Sequence, residues 1–253
     1  MKKTPILLIG AVFAIAVFSG LIFNGCSPSA SNTSNTNKPA TNANAPKPAQ
    51  TIPPNSPPGA EPPEQQGSAT ATVKLEEFAD MQCGACATAH PVMNEIKSMY
   101  GSRIHFIYRN FPLPMHDKGY DAALAASAAG LQGKFWDMQN MLFSNQKTWA
   151  SDPTYKQIWK GYAQKVGLDV AKWESDMAGF PVKNRVEADL ARGKAVGISS
   201  TPTLFVNGTA VPFADMNVTA LKTLIDAELQ KASGQSSAAN KEVAPAKSEN
   251  TNK

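Results

Sequence analysis

The chain has 253 residues and a formal net charge of +4, and ten of its 19 prolines fall between Pro28 and Pro63. Residues 67–234 hold 17 Lys/Arg against 16 Asp/Glu, so the excess charge sits in the tails, which argues against a nucleic-acid binder working through a basic face. Three cysteines are too few for a disulfide-stapled small domain.

Lys2 and Lys3 precede an uncharged, mostly apolar run over 6–23 that leads into Gly25-Cys26. A cationic start followed by such a run is how an export signal is built. The run is long enough to reach the lower limit for crossing a bilayer. Phe23-Asn24-Gly25-Cys26 resembles a bacterial lipobox, in which Cys26 becomes lipidated and forms the new N-terminus. An uncleaved anchor within 1–26, or ordinary cleavage near Ser19, remain as alternatives. Each of the three places the rest of the chain outside the cytoplasm, at the cell envelope.

Residues 27–67 are rich in Ser, Asn, Ala and Pro, with Pro pairs at 53–54, 57–58 and 62–63. So little apolar surface does not offset the entropy of ordering, and the segment is expected to be a disordered tether stiffened toward polyproline conformations. Residues 234–253 are expected to be a disordered tail on the same grounds. Roughly 165 residues lie between, enough for one globular core.

Residues 73–79, Val-Lys-Leu-Glu-Glu-Phe-Ala, read as a strand covered on both sides, with Val73, Leu75 and Glu77 on one face and Glu76 and Phe78 on the other. An acid on an apolar face costs free energy unless it is paired or protonated, so Glu77 is expected to titrate above the ordinary range. Glu76 is expected to be a bystander on the opposite face. A short turn leads to Cys83-Gly84-Ala85-Cys86, and Val92, Met93, Ile96, Met99 and Tyr100 then recur at helical spacing up to Gly101.

The Cys pair therefore opens a helix that follows a strand. Unpaired N–H groups and the helix dipole stabilise a thiolate there. Cys83, at the exposed end, is the expected nucleophile, and Cys86, one turn deeper, the resolving thiol. A zinc site using Cys86 and His90 lacks a second ligand cluster, since His105 and His116 stand apart from one another and from any Cys. Haem attachment fails at Ala87, where a His is needed. A structural disulfide closing so short a loop would stabilise little.

The run from Glu77 to Cys86, followed by Ala89-His90-Pro91, resembles the DsbA-like branch of the thioredoxin superfamily, the bacterial envelope thiol–disulfide oxidoreductases. The resemblance resumes at Ile198-Ser199-Ser200-Thr201-Pro202-Thr203-Leu204-Phe205-Val206-Asn207-Gly208 and covers roughly residues 71–231. It implies an α/β, thioredoxin-like fold with an inserted all-helical subdomain. It also implies a redox-active Cys83–Cys86 disulfide with no cofactor and no metal. Glu77 matches the family's buried acid six residues before the first Cys, and Pro91 its helix kink. Thr201-Pro202 matches the cis-proline that faces the Cys pair and aligns a substrate strand. Gly84-Ala85 departs from the family's usual Pro-initiated dipeptide, which leaves the redox potential open.

In chain order, 104–109 reads as a second strand, parallel to the first because a helix joins them. Residues 118–179 read as the helical insertion, with Asp152-Pro153 and Asp169 as helix starts and Gly167 as a stop. Asn207-Gly208 is the turn of a hairpin, and Asn217 caps a final helix. The thioredoxin-like part is thus 68–117 plus 180–233. His90 and His116 are read as a packed helix residue and a loop residue.

The function implied by the resemblance is thiol–disulfide exchange with exported proteins, as a dithiol oxidase recharged by a membrane redox partner. The alternatives are a reductase or isomerase, or a non-catalytic membrane-tethered binding module. A monomer is expected, with no nucleic-acid partner.

Overall fold

The computed structural model describes residues 49–242, with side chains as far as Gly234. Residues 1–48, which include Cys26 and the expected export segment, lie outside the described residues, as do 243–253. The elements are β1 (Glu64–Gly67), β2 (Val73–Ala79), α1 (Gly84–Tyr100), β3 (Ile104–Asn110), the helices α2 (Gly119–Gly130), α3 (Phe135–Ser144), α4 (Gln146–Trp149), α5 (Tyr155–Lys165), α6 (Val170–Ala178) and α7 (Phe180–Val196), then β4 (Thr203–Val206), β5 (Thr209–Val211) and α8 (Val218–Glu242). They form a thioredoxin-like α/β fold with a helical insertion.

The five strands pair in the order β1-β3-β2-β4-β5. The β2–β3 pair is parallel, as the intervening helix requires, and the others are antiparallel. Both faces of β2 are covered. Val73, Leu75 and Ala79 join the large core with Met93 and Ile96 of α1 and Leu221 and Ile225 of α8. Phe78, on the other face, packs with Phe111, Val196, Ile198 and Phe205. The hairpin turns at Asn207 (φ 46°) and Gly208 (φ 80°), the left-handed pair that a two-residue turn needs. Asn217 caps α8 by accepting the Ala220 N–H at 3.0 Å, and Asp169 caps α6 by accepting that of Lys172 at 3.0 Å.

The folded part begins well upstream of the expected boundary at residue 67. The Ile52 N–H donates to the Gly208 carbonyl at 2.9 Å, and the Ala210 N–H to the Gln50 carbonyl at 2.8 Å, so the chain first lies along the β5 edge. It then reaches the opposite edge of the sheet, where β1 pairs with β3. Between the edges, the carbonyls of Pro57, Pro58 and Ala60 accept hydrogen bonds from Arg192 Nη1 (2.7 Å), Arg109 Nη2 (2.7 Å) and Arg109 Nη1 (3.0 Å). This polar strap is ordered by guanidinium groups that lie far away in sequence, and composition does not register them. Its prolines have no N–H to satisfy and a pre-set φ, which lowers the cost of ordering. The strap also covers two strand edges that would otherwise be open to pairing. At the other end, α8 continues past residue 233, where the tail was expected to begin.

Candidate active site

At the end of β2 the chain turns through Asp80-Met81-Gln82, and Asp80 fixes that turn. Its carbonyl accepts the Cys83 N–H at 3.0 Å and its Oδ1 the Gln82 N–H at 2.8 Å. Its Oδ2 accepts the Leu113 N–H at 2.8 Å and lies 2.6 Å from His116 Nδ1, so His116 is more than the loop residue expected. A Cβ on Gly119 would stand 2.8 Å from Asp80 Oδ1, so only glycine lets α2 begin this close. From the insertion, Gln146 Nε2 donates to the carbonyls of Met81 (2.8 Å) and Cys83 (2.9 Å). Gln82 Nε2 donates in turn to Asp117 Oδ1 at 2.8 Å and to the Ala150 carbonyl at 3.2 Å. The helical insertion thus clamps the turn that carries the thiols.

Cys83 occupies the N-cap of α1 with extended backbone (φ −72°, ψ 123°). Both thiols are free, and Cys83 is 8% exposed against 1% for Cys86. The hydrogen bond from the Cys86 thiol, outweighing burial and helped by Thr201 and the N–H groups of Cys86 and Ala85, pulls Cys83 down to about 5. Burial, and next the neighbouring Cys83 sulfur, hold the proton on Cys86 far above the ordinary thiol range. The two thiols are therefore split into a ready thiolate and a retained proton. Alkylation of the reduced protein should show one fast thiol, Cys83, whose rate falls as pH drops through about 5. Mass mapping that finds Cys86 labelled first would reverse the assignment.

The Thr201–Pro202 peptide is cis, and Cys83 Sγ lies 3.4 Å from the Thr201 carbonyl oxygen. Thr201 is thus beside Cys83, and Thr201 and Pro202 are both buried. Pro91 lies inside α1. His90 packs there as expected, its ring stacked on Phe143 at 4.6 Å and its Nε2 2.7 Å from Asn140 Oδ1.

Glu77 is buried beneath the site. Loss of solvent raises it to about 7, against the pull of the Lys97 ammonium. The charge opposing it thus comes from α1. Burial lowers Lys97 to about 8, and its ammonium sits 4.4 Å from the Trp136 ring centroid and 5.0 Å from that of Phe106. Lys97 is eleven residues after Cys86, three helical turns along the same face, and that spacing was the available signal for it. Glu76 is no bystander. Its carboxylate is buried and bound by Arg109 Nε at 2.8 Å and by Arg192 Nε and Nη2 at 2.6 and 2.7 Å. Nothing local in the sequence pointed to Gln146, Gln82 or these arginines.

A protein-family model described as "Thioredoxin" matches residues 60–227. The Na(+)/H(+) antiporter NhaA 1 of Mycolicibacterium vanbaalenii is 34% identical over 146 residues, 56% of this chain and 23% of the relative. The chain thus spans about a quarter of that relative's length. Among solved structures, BdbD from Bacillus subtilis, in its oxidised form, superposes with a TM-score of 0.61 at 21% identity, over 73% of this chain and all of the other. The α-DsbA1 of Wolbachia pipientis gives 0.58 at 20% identity, over 69% of this chain and 94% of the other. DsbA of Xylella fastidiosa gives 0.52 at 17%, over 64% and 91%.

Proposed function

This chain belongs to the thioredoxin family, and on that premise we propose that it is a thiol–disulfide oxidoreductase that works as a dithiol oxidase on exported proteins. In this reading Cys83 and Cys86 enter the reaction as a disulfide. A substrate thiolate attacks Cys83, Cys86 leaves and takes a proton, and a second substrate thiol then displaces Cys83 as its thiolate. Glu77 supplies or removes the Cys86 proton, a buried acid matched to a buried thiol. Thr201 and Pro202 hold the substrate chain beside Cys83.

The observation that carries the oxidase direction is the stabilised Cys83 thiolate. Whatever stabilises the reduced form makes the disulfide more oxidising. At the N-cap of α1, the Cys86 thiol and the helix N–H groups hold Cys83 down to about 5, well below an ordinary thiol. Anchoring at the envelope through Cys26, and recharging by a membrane redox partner, belong to the same reading. Among the described residues no helix is long and apolar enough to cross a membrane.

Equilibration of the Cys83–Cys86 pair against glutathione buffers tests the direction. The expected potential lies nearer about −120 mV than about −270 mV. A value at the lower figure would make the protein a reductase.

A further inference from the structure

Beneath the thiols, a line of hydrogen bonds leads from β3 to Cys86. The Asp80 N–H donates to Cys86 Sγ at 3.5 Å. The carbonyl of that same peptide unit, on Ala79, accepts the Tyr108 hydroxyl at 3.4 Å and the Phe111 N–H at 2.9 Å. Tyr108 is fully buried on β3 and pairs in register with Glu77. Gln139, buried on α3, acts electrostatically on the Tyr108 hydroxyl, and among the described residues its Oε1 has no hydrogen-bond partner. A buried amide with an orphaned oxygen costs stability that a leucine would not, so packing does not account for it.

We propose that Tyr108 is a positioning residue for Cys86, acting through the Ala79–Asp80 peptide on the thiolate that resolves the mixed disulfide. A hydrogen bond into the carbonyl polarises the peptide and strengthens its N–H as a donor, and that donor faces the sulfur as charge forms there. The step balances. Cys86 loses its proton to the Glu77 carboxylate and its thiolate attacks Cys83. The Cys83–Cys86 bond forms, the bond from Cys83 to the partner sulfur breaks, and the partner leaves as a thiolate that water protonates. The charged and titratable groups acting on Tyr108 are Glu77 and Asp80 of the β2 segment and Cys86 of α1, and Lys97 of α1 acts on Glu77. The inference rests on the exchange reading of the Cys pair.

The test mixes reduced protein with glutathione disulfide across neutral to alkaline pH, quenches with acid, and follows the glutathionylated species by mass. Its formation reports attack by Cys83 and its decay reports resolution by Cys86. Tyr108→Phe removes only the hydroxyl, keeping the ring contacts with Phe135 (5.6 Å) and Trp136 (6.4 Å). It should slow decay on the order of threefold to tenfold and move its pH profile toward alkali, with formation unchanged. Gln139→Leu should slow decay in the same direction by less, and it decides alone if Tyr108→Phe does not fold. Wild-type decay rates and an unmoved pH profile in the folded variants would overturn the proposal, whatever their melting temperatures. Absence of any glutathionylated species in the wild type would overturn the exchange reading, and this proposal with it.

Discussion

A chain carrying Cys86→Ser should hold its substrates covalently. Cys83, already a thiolate near neutral pH, can still attack the disulfide of an oxidised substrate, the exchange run in reverse, but the thiol that would cut the mixed disulfide is gone. Cys86 lies one helical turn from Cys83 and within its hydrogen-bonding reach, so resolution in the wild type is intramolecular. Replacing such a step by attack from a dilute external thiol should slow release on the order of a thousandfold or more. Non-reducing gels of envelope extracts should show a ladder of adducts that collapses on adding reductant. Cys83→Ser should give no adducts and no exchange. The absence of adducts from Cys86→Ser would move the protein to the binding-module reading, in which the cleft holds a partner without chemistry.

The parts of this site that are local in the chain were legible in the sequence. The β2 alternation, the helical spacing after Cys86 and the Cys pair between them lie within one strand–turn–helix unit. Asn207-Gly208, Asn217 and Asp169 act through their own or adjacent backbone. What stayed hidden is non-local. Gln146 reaches the Met81 and Cys83 carbonyls from the insertion, and nothing about a glutamine in a helical pattern announces that. The strap before β1 reads as a tether because its ordering partners, Arg109 and Arg192, lie at least 49 residues further on. Glu76 was misread for the same reason. Period-2 alternation gives the face on which it stands, and the two arginines that bury it there are brought by β3 and α7.

That buried carboxylate gives the largest expected change in stability. Glu76→Gln keeps the shape of the side chain but leaves Arg109 and Arg192 buried with one compensating acid, Asp189, whose Oδ1 lies 3.1 Å from Arg109 Nη1. Breaking a buried ion pair on one side costs about 3–5 kcal/mol, which for a domain of this size lowers the melting temperature by roughly 6–20 °C. Lys74→Ala, removing a half-exposed ammonium 3.9 Å from Glu76, should change it by less than about 1 kcal/mol. The pH dependence separates Glu76 from its neighbour. Burial opposes the Glu76 charge, but the hydrogen bonds from Arg192 and Arg109 prevail and hold its pKa below 4.5. Its contribution is therefore complete above pH 4.5 and is lost as pH falls through the lower native value. Glu77 has the opposite sign. With its pKa raised to about 7, its ionisation costs stability progressively as pH rises from 4.5 to 7. Melts across pH should thus show Glu76→Gln unstable at neutrality, with a flattened acid limb. Glu77→Gln should be at least as stable as the wild type at neutral pH and above. Glu76→Gln melting with the wild type at neutral pH would mean that the two arginines find water or other acceptors once the carboxylate is gone, and that the strap is held by the protein carbonyls alone.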